Sequence, residues 1–304
     1  MLNSDRFITT RQLAESLGVS ESSVKRWVDD GSLEAHRTSG GHRRIPLAQA
    51  ARFLRRHRWS TFRPDQLPFA ASPALGPVDD LAAEHLFDAL SKDDPETARA
   101  IISGRFLSGA DVATIGDLLI RPAMARIGEL WKHDPQGVLV EHRAVDTCIA
   151  ALHELIPWLD PAPELAPTAV TAAGPADPYM LPPLLASLTL RERGFKVHNL
   201  GPLTPLSSMT LAITRYQPTL LSLSVSTDTS LPRASEWEAM AKSSRQAQCE
   251  IVVGGRCVGA FPFGSLRIPV NRCGSMLELG AFASGLSRSK DARKPLDPPR
   301  KGRK

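Results

Sequence analysis

Apolar residues recur at helical spacing near the start of the chain. Leu13, Ala14 and Leu17 form one stripe and Val24, Trp27 and Val28 a second, with the glycine-containing turn "LGVS" between them. This spacing predicts two short helices, the first capped by Thr10 and the second by Ser20. "LEAHRTSGGHRRIP" reads as a hairpin: a strand over Leu33 to Arg37, a turn at Gly40-Gly41, and a return strand carrying His42, Arg43 and Arg44. A third helix, Leu47 to His57, carries Arg52, Arg55 and Arg56, with Arg58 just beyond it. Residues 61–78 are proline-rich and aperiodic, which marks a linker. Helical periodicity then resumes, with helices expected at 79–91, 94–106, 108–132 and 137–157. Four antiparallel helices of that length make a bundle over 79–160. From Pro167 onward, apolar runs alternate with helical stripes. Strands are expected at 168–173, 196–201, 219–225, 250–255 and, weakly, 267–270, and helices at 182–193, 205–216, 232–247 and 275–285. Alternating βα units predict a parallel sheet covered on both faces, so residues 161–286 read as a flavodoxin-like, Rossmann-type α/β domain. The predicted fold class is multidomain, α plus α/β: a winged helix-turn-helix over 1–60, a linker, a four-helix bundle, the parallel-sheet domain, and a tail at 287–304.

Charge gives these parts different characters. The chain of 304 residues has a net charge of +5, but residues 1–63 hold 12 Lys and Arg against 6 Asp and Glu, and residues 287–304 hold 8 against 2. The body between them is acidic. A basic head on an acidic body points to a nucleic-acid-binding module joined to a sensory or enzymatic unit. Two helices around a glycine turn, followed by a cationic hairpin, suit double-stranded DNA. Ser22, Ser23, Lys25 and Arg26 are expected to face the major groove. Arg37, His42, Arg43 and Arg44 on the wing are expected to meet the backbone or the minor groove. Proteins of this kind read paired half-sites, so a homo-oligomer, dimer or tetramer, is expected. No apolar run approaches the roughly 18–20 residues that span a bilayer, and "MLNSDRFITT" has no signal-peptide core. The four cysteines, Cys148, Cys249, Cys257 and Cys273, have no C-x-x-C spacing. A cytoplasmic protein with no membrane partner, zinc site or disulfide framework is expected. The Pro- and Lys/Arg-rich tail is expected to be disordered.

Candidate chemistry gathers at the carboxyl ends of the predicted strands, where doubly wound domains bind ligands. "GPADPYMLPP" follows the first strand and "LGPLTP" the second. Ser222, Ser224 and Ser226 share one face of the third strand, and hydroxyls on a buried strand need partners, which points to a polar ligand. Gly254 and Gly255 end the fourth, where a missing side chain lets a ligand approach the backbone. In the bundle, Trp131 precedes Glu141-His142, a set that also reads as ordinary core packing. There is no dinucleotide fingerprint, no P-loop and no nucleophile elbow. A regulator rather than an enzyme is expected.

The stretch "TTRQLAESLGVSESSVKRWVDDGSLEAHRTSGGHRRI" resembles the DNA-binding domain of the MerR family of transcription regulators, with Ile45 where the pattern often has an aromatic residue. Across residues 1–286, the order of head, bundle and flavodoxin-like domain is similar to the cobalamin-dependent, light-sensing MerR regulators of the CarH/LitR type. The resemblance implies a W-x9-E-H set at Trp131, Glu141 and His142 over the upper face of a corrin; His133 stands one position past the place, directly after the Trp, where the family can have a His and this chain has Lys132. It also implies an S-x-L position at Ser224 and Ser226, a G-G position at Gly254 and Gly255, and a lower-ligand loop at Asp177 and Tyr179. It further implies adenosylcobalamin, a tetramer that represses transcription in the dark, and dissociation in light.

The lower loop departs from that pattern. Where the family has D-x-H-x-x-G, this chain has Asp177-Pro178-Tyr179-Met180-Leu181-Pro182. Tyr179 takes the place of the cobalt-ligating His, Pro182 that of the Gly, and Ser226 that of the Leu in S-x-L. A neutral phenol, with a pKa near 10, is a poor cobalt ligand at neutral pH. Three readings stay open: a corrinoid without lower His ligation; a bilin such as biliverdin, with Cys148, Cys257 or another thiol as a covalent anchor; or no cofactor, with the body serving oligomerisation or protein binding. A corrinoid carrier of a methyltransferase is the remote alternative, since such carriers depend on the missing His and lack a winged helix.

Overall fold

The computed structural model describes residues 7–57, 59, 63, 67, 78–130, 137–227, 234–261 and 269–291. The head runs β1 (Phe7–Thr9), α1 (Thr10–Leu17), α2 (Glu21–Asp29), β2 (His36–Arg37), β3 (Arg43–Pro46) and α3 (Leu47–His57). Its antiparallel sheet has the order β1-β3-β2, with Ile8 opposite Ile45 and His36 opposite Arg44. Strand β1 is absent from the sequence reading because three residues are too few to show alternation. The cap of α1 is Thr9, not Thr10. Gln12 N–H donates to Thr9 Oγ1 at 3.0 Å and Thr9 N–H to Gln12 Oε1 at 2.9 Å, a reciprocal capping box. Thr10 instead donates to Glu21 Oε1 at 2.7 Å, linking the two helices. Ser20 caps α2 as expected. The strand expected from Leu33 shortens to two residues; Leu33 is buried, and its N–H donates to Trp27 O at 2.9 Å.

The bundle contains α4 (Asp80–Ser91), α5 (Pro95–Leu107) and a third helix in three parts: α6 (Val112–Thr114), a π-helical stretch (Ile115–Ile120) and α7 (Arg121–Leu130). Its fourth helix is α8 (Gly137–Leu155). Asp79, Asp94 and Asp111 each cap a helix by accepting a backbone N–H three residues on. The third helix starts at 112 rather than 108 because Asp111 holds its first turn.

The last part alternates β4 (Thr168–Ala173), α9 (Leu181–Glu192), β5 (Lys196–Gly201), α10 (Leu206–Tyr216), β6 (Leu220–Ser224), α11 (Ala234–Ala247), β7 (Glu250–Gly254), β8 (Val270–Arg272) and α12 (Met276–Asp291). The fifth strand lies a few residues past the expected "RIPV", and α12 runs beyond the expected 285. The five strands are parallel in the order β5-β4-β6-β7-β8, the flavodoxin-like arrangement. Ala173, Ser224 and Gly254 pair in register, so three strands end on one level. Polar and irregular segments beyond that level therefore face a common space.

One apolar core runs from the head, through the bundle, to α9. It joins Ile8, Val24 and Leu54 to Ile102 and Leu152, and these to Leu184 and Leu188. Separate clusters fill the space under α10 and α11 and under α12. No helix of the described residues is long and apolar enough to cross a membrane. The basic tail beyond Asp291 lies outside them.

Candidate functional site

On the head, α2 presents Ser22, Lys25 and Arg26 to solvent. Lys25 pairs with Glu21 at 3.0 Å, one turn away. Ser23 is half-buried and belongs to the cap, its N–H donating to Ser20 Oγ at 3.2 Å. Arg37 and His42 are exposed on the wing, and Arg44 is half-buried. Arg43 does not project as a free phosphate contact. Its Nη2 donates to both carboxylate oxygens of Asp29, at 2.6 and 2.9 Å, and clamps the wing to the end of α2. With Asp29 half exposed the pair is worth only about 0–1 kcal/mol, enough to orient this side chain toward α2.

The arginines of α3 turn to the body. Arg52 donates to Leu159 O at 3.1 Å and Pro157 O at 2.7 Å. Arg55 donates to Phe106 O at 2.6 Å and Ala110 O at 2.9 Å, lies 3.8 Å from the centroid of the Phe106 ring, and pairs with Glu192. Arg56 pairs with Asp160 at 2.6 Å. Arg58 lies outside the described residues.

A cavity of about 620 Å³ separates the bundle from the carboxyl ends of the strands. This is within the range of small-molecule sites, roughly 300–1,000 Å³. Of the residues singled out from sequence, Glu141, Tyr179, Pro182, Ser222, Ser224, Ser226, Gly254, Gly255 and Cys273 line it. The other candidates lie elsewhere. Trp131 and His133 fall outside the described residues. His142 is exposed and not part of the lining, because one residue along a helix turns a side chain by about 100° away from its neighbour. Asp177 is fully buried and holds the loop: its carboxylate accepts Tyr179 N–H at 3.1 Å and Ser226 N–H at 2.6 Å. "LGPLTP" packs on the same loop, with Leu203 N–H donating to Asp177 O at 2.9 Å. The two glycines also make room for the protein's own backbone. A Cβ on Gly254 would stand 2.7 Å from Cys273 O, and one on Gly255, at φ +111°, only 2.4 Å from Val225 O.

Tyr179 is tied to a residue that the sequence reading missed. Arg256 Nη2 donates to Tyr179 Oη at 3.2 Å and to Ser226 O at 3.1 Å, and its Cζ lies 5.2 Å from the tyrosine ring centroid. Arg121 and Arg272 also line the cavity. No local signal marks these arginines, since three distant elements bring them together. Cys148 does not suit a thiol anchor: it is buried in the bundle core, and burial pushes its thiol up to about 12. Cys257 Sγ is directed at Ser226 O, 3.3 Å away, and lies outside the lining. Among the described residues no histidine lines the cavity, and no group of three His, Cys, Asp or Glu is placed to hold a metal. A cobalt ion ligated by a protein imidazole from below does not fit this donor set.

The cavity and the head meet through α9. Leu181, Pro182 and Leu185, near its start, line the cavity. At its other end, Glu192 accepts from Arg55 through one oxygen and from Val112 N–H at 2.8 Å through the other. Arg193 pairs with Asp111 at 2.9 Å. Burial raises the Glu192 carboxyl above its usual range, against the opposing pull of Arg55. In the bundle, the π-helical stretch places Asp117 where it accepts the N–H groups of Met276 and Leu277 at 3.1 and 2.9 Å, capping α12.

Residues 7–58 match the helix-turn-helix domain family. No curated protein matches the chain. Among solved structures, the monomethylamine corrinoid protein of Methanosarcina barkeri is similar at 16% identity, with a TM-score of 0.56, over 68% of this chain and 98% of that one. A cobalamin-binding protein from Desulfitobacterium hafniense DCB-2 is similar at 17% identity, with a TM-score of 0.33, over 70% and 98%. The chain therefore carries a helix-turn-helix DNA-binding domain on a body with the fold of a corrinoid protein.

Proposed function

We propose that this protein is a cytoplasmic, homo-oligomeric transcription regulator, acting as a repressor. A tetrapyrrole held in the cavity sets its DNA affinity or oligomeric state, and light is the signal. The observation that carries this reading is the double role of α9. One end walls the cavity and the other grips Arg55 of the DNA-binding head. The helix-turn-helix match and the corrinoid-protein fold support it. A flat ligand that shifts the start of α9 acts on the head through a rigid rod about 18 Å long. In this reading the cavity senses and performs no turnover. The test is a gel shift of the full chain on its own upstream DNA, in darkness and light, with and without added tetrapyrrole. A change in affinity of about tenfold or more between ligand states is expected. No retarded band under any condition overturns the proposal.

A further inference from the structure

We infer that the ligand of this cavity carries free carboxylates and is an acidic tetrapyrrole, one that keeps its propionic acid side chains, rather than a cobalamin, whose ring side chains are neutral amides and whose one anionic group is the phosphodiester of its nucleotide tail. The inference rests on the tetrapyrrole reading above and names the member of that class. Its basis is the charge of the cavity wall. Arg121 from the bundle, Arg256 from the loop after β7 and Arg272 at the end of β8 all border the same space. They come from three separate elements, so their convergence is a property of the tertiary structure and not of a basic run. A guanidinium stays charged at any physiological pH and presents a planar fork matched to a carboxylate.

The acidic groups of the wall offset this only in part: Arg121 lies 3.9 Å from Asp117, and the lining still holds three guanidinium groups against two carboxylates. Asp117 directs both oxygens at the first turn of α12. Glu141 is the other carboxylate of the lining. Arg256 is already positioned, because Tyr179 Oη and Ser226 O both accept from its Nη2. The lining also includes the apolar side chains of Ile120, Met124, Leu185 and Leu279, which suit a conjugated ring system. The hydroxyls of Ser222 and Ser224 lie at strand level, within the lining, where they suit pyrrole nitrogens or lactam oxygens. A corrin has no carboxylates for this rim. The position its lower ligand would need holds a phenol already hydrogen-bonded to Arg256.

The experiment titrates the purified full chain, without DNA, with biliverdin, biliverdin dimethyl ester and adenosylcobalamin, and reads absorbance and tryptophan fluorescence. Biliverdin is expected to saturate with a shifted visible band. The ester and adenosylcobalamin are each expected to bind at least about tenfold more weakly. The double variant Arg256→Ala/Arg272→Ala should bind biliverdin no better than wild type binds the ester. Arg272→Gln, which leaves the Tyr179 contact intact, should lose part of the affinity while keeping the wild-type circular dichroism. Equal binding of acid and ester, tighter binding of adenosylcobalamin, unchanged affinity in both variants, or no biliverdin binding overturns the inference. DNA is absent from the titration, so the two readings fail separately. If biliverdin binds but gel shifts ignore it, the regulator reading falls and this one stands. If adenosylcobalamin alone binds and alters the gel shift, the reverse holds.

Discussion

Replacing Arg55 by Ala should uncouple the DNA-binding head from the body. Its side chain is 20% exposed and the Glu192 side chain 11% exposed, so the pair is largely shielded from water. The substitution deletes hydrogen bonds to Phe106 O and Ala110 O at the end of α5, together with the ion pair. Breaking one partner of such a buried pair costs about 3–5 kcal/mol, because the other charge stays behind without its counter-ion. That cost falls on the docking of α3. The Arg56–Asp160 pair and the bond from Arg52 to Pro157 O are exposed, and exposed pairs are worth about 0–1 kcal/mol, which leaves the part-buried bond from Arg52 to Leu159 O. The head should therefore loosen before the body unfolds. In differential scanning calorimetry, the first transition should fall by about 5–10 °C, at roughly 2 °C for each kcal/mol in a chain of this size. Limited proteolysis should cut sooner after His57, and ligand should change DNA affinity by much less than in wild type. Arg55→Lys should lie between the two, keeping the charge but losing the fork. If Arg55→Ala melts like wild type and keeps its full ligand response, the α9 coupling is wrong.

Four further outcomes follow from particular contacts. Arg43→Ala and Asp29→Ala should each loosen the wing, and a double-mutant cycle in urea should show a coupling of about 0.5–1 kcal/mol; strict additivity contradicts the clamp. Arg26→Ala should weaken DNA binding and lower the slope of log affinity against log salt by about one if it meets a phosphate, and an unchanged slope excludes that contact. Gly255→Ala places a methyl against Val225 O in a left-handed backbone, so thermal melting should show a loss of at least about 1–3 kcal/mol; a neutral result refutes the close approach. The raised Glu192 carboxyl binds its proton more tightly in the folded chain than in the unfolded one. Taken alone, this group makes stability rise as pH falls through the folded pKa, and the gain is absent at higher pH. Glu192→Gln should remove that slope just above the ordinary carboxylate range, and identical pH–stability profiles for variant and wild type count against it.

The order and kind of the elements were legible from the sequence because hydrophobic periodicity is a local property. The two stripes of the head, the capped helices of the bundle and the five apolar runs each report the pattern of their own few residues. Parallel pairing followed from the alternation of strand and helix. Elements below the length of a period, such as β1, or distorted within one, such as the π-helical stretch at Ile115–Ile120, left no trace.

The destinations of the polar side chains were settled by the tertiary structure. Arg26 on α2 and Arg55 on α3 look alike in a basic segment, yet one faces solvent and the other closes on Glu192, 137 residues away. Glu141 reaches the cavity and its neighbour His142 does not. Gly254 and Gly255 border the cavity, and they also leave room for Cys273 O and Val225 O, which no local pattern announces. The proline-rich loop after β4 displayed Tyr179 in the sequence, but its partner Arg256 lies 77 positions away along the chain. A sequence records which groups are available. Which partner each one meets depends on distances that exist only after distant elements have packed, and that packing built both the arginine-rimmed cavity and the helix linking it to the DNA-binding head.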